Sequence, residues 1–343
     1  MITIHCGLHK TGSSSIQLAL ELCSTRGRTI VTPKPGDDRS EQGWRERLSK
    51  VSRAQHAVFS DENFLGSPYA GYQLAPERIA MLREALHGAR YQIVVYIRPQ
   101  LDWLPSVYLQ SVQEGMTTGP EAFWASIKGQ PYLRWTTLLD LLQRESSAER
   151  VIARAHTRSR DTVHDFFVQV GLGKPSRTGP TKIRENISIA AVQAPLLLAL
   201  NSDTGFSGRE RPYLRNTFQN ILAAGARSGL SPFPVGIQVE IVEQFGSDWS
   251  ELAELVASTD QAEATIVRES LALWRADPLP FAGSTLDAPL IREEMLRSLR
   301  TLASEVVVPS REGIRRRMAA KLRSDPRDFP AAVARALWRR SAT

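Results

Sequence analysis

The first half of the chain alternates between short apolar runs and longer amphipathic stretches. Five apolar runs are rich in β-branched or aromatic residues and predict β-strands, at 2–6, 29–32, 56–61, 91–97 and 150–155. The stretches between them repeat apolar residues at helical spacing and predict helices that begin near residues 13, 42, 76, 99, 121 and 161. Strands that alternate with helices favour a parallel sheet with right-handed crossovers. The pattern over 1–172 therefore predicts an α/β core in three layers, a parallel sheet flanked by helices.

The pattern changes after residue 172. A polar connection rich in proline and glycine, at 173–181, leads into mostly helical stretches, and proline recurs through a second connection at 278–289. We predict one domain over 1–280, in which the α/β core is followed by a helical region at 189–277. A separate basic and helical C-terminal extension is predicted at 290–343.

The composition is that of a globular protein, since 42% of the 343 residues are apolar and 23% are charged. No apolar run reaches the length of about 18 residues that a transmembrane helix needs. The first residues lack the basic flank and apolar core of a signal peptide, so none is expected. Cys6 and Cys23 suggest neither a disulfide framework nor a metal site, which favours a reducing compartment. These features predict a cytoplasmic protein.

The net charge of +7 comes from the end of the chain, because residues 311–343 contain ten basic and three acidic residues. Ile314, Met318 and Leu322 form a narrow apolar stripe there, which predicts either a helix packed on the body with a solvated basic face or a helix bound to a surface. The second interpretation predicts contact with anionic lipid at the inner membrane surface, or with an acidic polysaccharide. Nucleic-acid binding is not predicted, since no recognition motif accompanies the charge.

Residues 7–15, with the sequence Gly-Leu-His-Lys-Thr-Gly-Ser-Ser-Ser, join the first predicted strand to the first helix. Free backbone N–H groups and the positive end of the helix dipole make such a junction an anion site. The alternative is an ordinary junction with an N-cap serine. The loop resembles the phosphate-binding P-loop G-x-x-x-x-G-K-[ST], but Ser13 follows Gly12 and the lysine lies inside the loop at Lys10. The likeness of the loop predicts a P-loop-like fold, and the moved lysine predicts an anion site without an obligatory metal.

A second candidate phosphate site follows the strand at 91–97. Arg98 ends that strand and Ser106 lies about two turns into the next helix, so both could reach one phosphate, the arginine through its rigid fork of donors. Taken singly, Arg98 would be read as a surface ion pair and Ser106 as a filler on a packed helix. Together with the loop at 7–15, the pair predicts a ligand with two phosphate groups.

The loop at 7–15 and the segment 98–108, in this order, resemble the two nucleotide motifs of sulfotransferases that use 3′-phosphoadenosine 5′-phosphosulfate (PAPS), over roughly residues 1–200. The resemblance implies that Lys10 contacts the oxygen that bridges phosphate and sulfate. It implies that Arg98 and Ser106 hold the 3′ phosphate and that His9 lies at the cofactor in a packing or positioning role. The residues implied to hold the 5′ phosphate are Thr11, Gly12, Ser13, Ser14 and Ser15.

A third site follows the strand at 56–61. In carbohydrate-type bacterial members of this family, a glutamate after a strand deprotonates the acceptor hydroxyl. The resemblance implies this role for Glu62, which matches the position best. Its neighbour Asp61 is the residue that could be confused with it. Alternatively, Glu62 caps the next segment or pairs with Lys10, and His9 is the competing base. Residues 184–188, which include Arg184 and Asn186, resemble a turn of the bacterial members near the nucleotide or the acceptor.

The resemblance implies transfer of a sulfuryl group from PAPS, without a metal, to a hydroxyl of a carbohydrate, glycan or glycolipid. One alternative is a P-loop kinase or NTPase, which needs a lysine after Gly12, a hydroxyl on Mg²⁺ and an acidic residue at a strand end, for which Asp61 is the candidate. The other alternative is a non-catalytic, membrane-associated protein that binds a nucleotide. The acceptor itself is not specified by the sequence.

Overall fold

The computed structural model describes residues 1–22, 27–34, 36–157, 160–172, 189, 191–204, 230–257, 260–274 and 279. Several predictions concern residues outside this part of the chain. They are Cys23, the connection at 173–181, the turn at 184–188, all but one residue of the connection at 278–289, and the basic extension at 290–343.

Five strands form a single parallel sheet. They are β1 (Ile2–Cys6), β2 (Thr29–Val31), β3 (Ala57–Asp61), β4 (Tyr91–Ile97) and β5 (Arg150–Ala155). Their order across the sheet is β2-β3-β1-β4-β5, and every neighbouring pair is parallel. The register pairs Cys6 of β1 with Asp61 of β3, and Ile97 of β4 with Ala155 of β5. The predicted α/β core with a parallel sheet is therefore confirmed.

Helices connect the strands and continue beyond them. Among the described residues they are α1 (Ser13–Leu22), α2 (Glu41–Ser52), α3 (Ala75–Ala85), α4 (Gln100–Glu114), α5 (Pro120–Ile127), α6 (Trp135–Glu145), α7 (Thr162–Gln169), α8 (Ala194–Ser202), α9 (Val235–Ala257) and α10 (Gln261–Trp274). Short 3-10 turns lie at Pro68–Ala70, Pro131–Leu133 and Ala191–Gln193. Within the part of the chain that the structure describes, no helix is both long and apolar enough to cross a membrane.

Local sequence explains where several helices begin and end. The Ser40 side chain accepts the N–H of Gly43 at the start of α2, and the Asp161 side chain accepts the N–H of His164 at the start of α7. Each contact satisfies one of the N–H groups that a first helical turn leaves unpaired. Gly171 follows α7 with a φ of 64°, the left-handed conformation that commonly ends a helix.

Apolar side chains cover both faces of the sheet. On one face, Ile16 and Leu20 of α1 pack with Phe166 and Phe167 of α7 in a cluster that includes Val94 of β4. On the other face, the rings of Trp44, Phe59 and Phe64 meet edge to face. Both β1 and β4 are buried along their whole length, which explains the nearly continuous apolar sequence of β4.

The chain divides into two compact units. The first comprises 1–107, 123–186 and 236–278, and it contains the whole sheet. The second comprises 108–122, 187–235 and 279–343. Within the second unit, the amide of Asn201 donates to the carbonyl oxygens of Val112 and Met116, both at 2.8 Å, which fastens α8 to the end of α4.

The order of the strands sets where a ligand can bind. The chain leaves β1 into α1 on one face of the sheet, whereas it leaves β3 toward α3, which packs with α2 and α6 on the other face. Ligands of open α/β sheets bind at such a switch point, outside the carboxyl ends of the strands. The segments that follow β1 and β4 carry the residues predicted from sequence to bind a nucleotide, and the loop that follows β3 carries the predicted base, Glu62.

Candidate functional site

The loop after β1 is shaped by its own hydroxyl groups. The carbonyl oxygen of Leu8 accepts the hydroxyl of Thr11 at 2.6 Å and the hydroxyl of Ser13 at 3.0 Å. A Cβ on Gly7 would lie 2.4 Å from Oγ of Ser13, so a residue without a side chain is needed there. A hydroxyl has a single hydrogen, and these two hydrogens are used inside the loop. An anion would therefore meet the backbone N–H groups at the start of α1 rather than these two hydroxyl hydrogens.

The backbone on either side of Lys10 is held in an unusual conformation. Lys10 has a φ of 63°, a left-handed conformation that costs a residue with a Cβ about 1–2 kcal/mol. The preceding residue is fixed from two directions, because the backbone N–H of His9 donates to the Tyr72 hydroxyl at 3.1 Å and Nε1 of Trp103 donates to the His9 carbonyl oxygen at 2.8 Å. These two contacts fix the residue before Lys10 and so hold the backbone against that cost.

Both ring nitrogens of the buried His9 meet protein groups. Nε2 lies 3.3 Å from Oδ1 of Asn63, and Nδ1 lies 3.3 Å from the Tyr72 hydroxyl. Because Oδ1 of Asn63 only accepts, Nε2 carries the hydrogen, and Nδ1 accepts from Tyr72. One neutral tautomer satisfies the whole set. This geometry favours the positioning role for His9, since its ring links the loop after β1 to the loop after β3.

The two neighbouring carboxylates after β3 lie in different surroundings. Asp61 is buried, accepts the N–H of Asn63 at 2.8 Å and lies near Arg47, while burial raises its pKa above the ordinary value. Glu62 is only partly buried and lies near Tyr72, whose pKa is raised by burial and further by the charge of Glu62. Of the two, Glu62 is the less buried carboxylate, and it lies near the tyrosine that contacts the loop after β1.

Arg98 and Ser106 are in direct contact. Nη1 of Arg98 donates to the Ser106 hydroxyl at 3.0 Å, and that hydroxyl donates in turn to the carbonyl oxygen of Asp102, also at 3.0 Å. The two side chains meet because α4 begins almost directly after β4. Ser106 therefore lies on the face of α4 above the end of the strand, where Arg98 is. Sequence reasoning predicted that these two side chains share a site, and the structure brings them together.

His156 is a further residue at the site, and it was not among the site residues predicted from the sequence. It directly follows β5, its N–H donates to the Ile97 carbonyl oxygen at 2.7 Å, and its Nδ1 lies 2.9 Å from the Thr162 hydroxyl. A Cβ on Gly12 would lie 3.6 Å from Cε1 of His156, so the ring borders the anion loop. Burial, with the charges of Arg98 and Arg160, lowers the pKa of His156 to about 4. The available signal was its position directly after the apolar run at 150–155.

A buried ion network holds the end of β5 behind this histidine. Arg160 donates to the Ala155 carbonyl oxygen at 2.7 Å and to Oε2 of Glu263 at 2.6 Å. Arg154 donates to Oδ1 of Asp165 at 2.6 Å, and Tyr96 donates to Oδ2 of the same carboxylate, also at 2.6 Å. Because the charges are paired and bonded, the network fixes the strand end rather than offering an anion site.

The candidate residues follow four adjacent strands. Across the sheet in the order β3-β1-β4-β5, the groups are Glu62, the loop with Lys10, Arg98 and His156. Two basic side chains, Lys10 and Arg98, thus follow the carboxyl ends of adjacent strands together with the N-terminus of α1, which suits a ligand with more than one anionic group. Within the described ranges, no group of three or more His, Cys, Asp or Glu side chains is arranged to hold a metal ion.

Searches with this chain found no matching protein-family model, no matching curated protein and no matching solved structure. The assignment of a function therefore rests on the residues of the site and on their arrangement.

Proposed function

We propose that the protein is a sulfotransferase that moves a sulfuryl group from PAPS to a hydroxyl of a carbohydrate, glycan or glycolipid. The observation that carries the proposal is the hydrogen-bonded pair of Arg98 and Ser106 at the end of β4, beside the Lys10 loop at the end of β1. A nucleotide with phosphates only at the 5′ position, such as the ligand of a P-loop protein, needs one cluster of hydrogen-bond donors for its phosphates. Two separate clusters on adjacent strands suit a nucleotide with phosphates at both the 5′ and the 3′ positions.

The proposed reaction is a direct in-line transfer. An oxygen of the acceptor bonds to sulfur while the bond from sulfur to the bridging phosphate oxygen breaks, and adenosine 3′,5′-bisphosphate leaves. Glu62 takes the proton of the acceptor hydroxyl, and the ammonium group of Lys10 stabilises the negative charge that grows on the leaving oxygen. By analogy with phosphoryl transfer, such a reaction needs positioning and charge stabilisation more than covalent catalysis. The preformed conformation at Lys10 supplies that positioning.

The kinase or NTPase alternative fits the site less well. It needs an acidic side chain at a strand end to reach a nucleotide-bound Mg²⁺, and the candidate, Asp61, is buried and accepts the N–H of Asn63. It also needs a lysine directly after Gly12, and this chain has Ser13 there. No metal is required in the proposed sulfotransferase, since Lys10, Arg98 and the backbone N–H groups of α1 provide the positive charge.

The proposal includes a cytoplasmic location, with the basic extension at 290–343 as the segment that would contact an anionic membrane. Co-sedimentation of the full chain with anionic and with neutral vesicles tests that contact, and a truncation after residue 308 is the control. Equal behaviour of the two chains would remove the membrane contact and leave the proposed reaction standing.

Two experiments test the proposed reaction. Calorimetry with adenosine 3′,5′-bisphosphate and with ATP plus Mg²⁺ measures ligand preference, and tighter binding of ATP would contradict the proposal. Transfer of labelled sulfate from PAPS into an extract of the source organism then identifies the acceptor. We expect Lys10→Ala and Glu62→Ala to abolish transfer, while the surface variants Lys128→Ala and Glu84→Ala serve as matched controls. Full activity in either of the first two variants would remove the role assigned to that residue.

A further inference from the structure

Two tryptophans lie behind the two candidate phosphate sites. The rings of Trp103 and Trp135 meet edge to face with their centroids 5.2 Å apart and their planes at 83°, and both side chains are fully buried. Nε1 of Trp103 donates to the carbonyl oxygen of His9, and Nε1 of Trp135 donates to the carbonyl oxygen of Arg98, each at 2.8 Å. The only donor of each indole is thus committed to the backbone of one anion-binding segment.

The outer ends of this tryptophan pair are also anchored. On one side, Trp103 packs against the ring of Tyr72, with centroids 5.9 Å apart, and the Tyr72 hydroxyl accepts the N–H of His9. On the other side, the backbone N–H of Trp135 donates to Oδ2 of the buried Asp248, which also accepts Nε2 of Gln100, both at 2.8 Å. Hydrogen bonds and ring contacts therefore fix the position of the tryptophan pair at both ends.

The geometry points to Trp103 and Trp135 as a rigid spacer that sets the separation between the Lys10 loop and Arg98. The spacer makes the site selective for a nucleotide with phosphates at both the 5′ and the 3′ positions over a nucleotide with one phosphate. This inference rests on the proposed function and adds the physical basis of its ligand selectivity. The two tryptophans act through backbone carbonyl groups, so they are positioning residues rather than catalytic ones.

The spacer sets this separation because two indole rings in van der Waals contact cannot move closer together, and each ring is bonded to one of the two segments. A phenylalanine at either position removes the indole N–H that the carbonyl oxygen of His9 or of Arg98 accepts, so the segment loses that anchor and shifts. A ligand that touches one segment follows that shift without loss. A ligand that spans both segments loses one set of contacts, and a displacement near 1 Å can cost up to about 100-fold in such a site.

The test compares Trp103→Phe and Trp135→Phe with the matched control Trp249→Phe. Trp249 is equally buried, and its Nε1 donates to the Val267 carbonyl oxygen at 2.9 Å rather than to a carbonyl oxygen of either anion-binding segment. Calorimetry with adenosine 3′,5′-bisphosphate and with the 5′-monophosphate gives the selectivity of each chain. We expect either spacer variant to lose about 10- to 100-fold in affinity for the bisphosphate, and less than about 3-fold for the monophosphate. The control should keep the selectivity of the wild type.

A second measurement separates the spacer from the proposed function. Crystal structures without nucleotide should show the separation of the Cα atoms of Lys10 and Arg98 changed in both spacer variants and unchanged in Trp249→Phe. Where a phenylalanine variant does not fold, 3-benzothienylalanine at the same position removes only the N–H and keeps the size of the ring. An unchanged separation, or an equal loss of affinity for both nucleotides, would overturn the spacer. A wild type that binds both nucleotides equally would instead contradict the proposed function.

Discussion

The hydroxyl oxygen of Tyr72 accepts the backbone N–H of His9 at 3.1 Å and lies 3.3 Å from Nδ1 of the same residue. Tyr72 itself has a φ of 58°, so a left-handed residue after β3 holds the residue that precedes the left-handed Lys10 after β1. Two conformations that are each unfavourable alone are thus joined by one hydroxyl group. Backbone strain of this kind persists only where the surrounding contacts fix the conformation, and it occurs most often at functional sites.

The Tyr72→Phe variant should loosen the lysine loop while the ring packing stays. The N–H of His9 would be left buried without its acceptor, so the free energy of unfolding should fall by about 1–3 kcal/mol. We also expect affinity for adenosine 3′,5′-bisphosphate to fall by about 10-fold, measured by calorimetry, since the backbone at Lys10 is no longer fixed. Tyr91→Phe is the control, because Tyr91 is a buried tyrosine at the opposite end of the sheet. Unchanged affinity in Tyr72→Phe would show that the loop does not need this contact.

The Arg98→Ala variant should lose recognition of the 3′ phosphate alone. Hydrogen bonds to charged groups contribute about 1.5–3 kcal/mol, so affinity for adenosine 3′,5′-bisphosphate should fall by about 10- to 150-fold. Affinity for adenosine 5′-monophosphate should stay within about 3-fold of the wild type, since Arg98 is proposed to contact only the 3′ phosphate. Arg90→Ala is the control, because Arg90 precedes the same strand at its other end and pairs with Glu149 on the surface. Equal losses for the two nucleotides would contradict the assigned role.

Acid should destabilise the protein before its carboxylates are protonated. Burial lowers the pKa of His5 to about 3, and burial with nearby arginines lowers that of His156 to about 4, against an ordinary value of 6.5 for both. Between pH 6.5 and about 4 the unfolded chain binds protons that the folded protein does not, so the free energy of unfolding falls as the pH falls. Each histidine contributes a slope of at most about 1.4 kcal/mol per pH unit in that window.

Urea titrations at about pH 7, 6 and 5 measure that slope, because carboxylates titrate mainly below this range. The His156→Gln variant should reduce the slope by roughly half relative to wild type, since His5 still contributes. His87→Gln, at an exposed position, is the matched control. A slope that is the same in His156→Gln and in wild type would show that His156 does not stay neutral in the folded protein.

Much of the first unit could be predicted from sequence because its signals are local. The strands are short apolar runs bounded by turn residues, and Arg98 and Ser106 are separated by a helical spacing that one segment contains. The loop after β1 carries its own geometry, since Thr11 and Ser13 bond to Leu8 within it. Such features depend on neighbours in the chain, which periodicity and motif spacing can read.

The features that sequence reasoning missed join distant segments through groups that carry no signature. Trp135 acts on Arg98 through a carbonyl oxygen, and any residue type supplies that acceptor. His156 becomes part of the site only because β5 lies beside β4 in the sheet. A buried tryptophan in an apolar pattern is read as core, and core packing is the commoner role of such a residue. The direction of its single N–H emerges only from the tertiary structure.

Asp248 is another residue that joins segments distant in the chain. We predict that Asp248→Asn destabilises the protein. This fully buried carboxylate accepts Nε2 of Gln100 and the N–H of Trp135 at 2.8 Å, the N–H of Thr136 at 3.0 Å, and the Thr136 hydroxyl. It therefore caps α6 from a helix more than a hundred residues along the chain. Asparagine keeps the shape but turns an NH₂ group toward these donors, so one or two of them lose their acceptor.

We expect Asp248→Asn to lower the free energy of unfolding by about 3 kcal/mol or more, because each hydrogen bond to a buried charged group contributes about 1.5–3 kcal/mol. Asp140→Asn is the control, since Asp140 forms a partly exposed i,i+4 pair with Arg144 and should change stability by less than about 0.5 kcal/mol. Urea unfolding of both variants at neutral pH measures the difference. A loss in Asp248→Asn no larger than that in Asp140→Asn would mean that the start of α6 is held by packing alone, and that the carboxylate does not anchor Trp135.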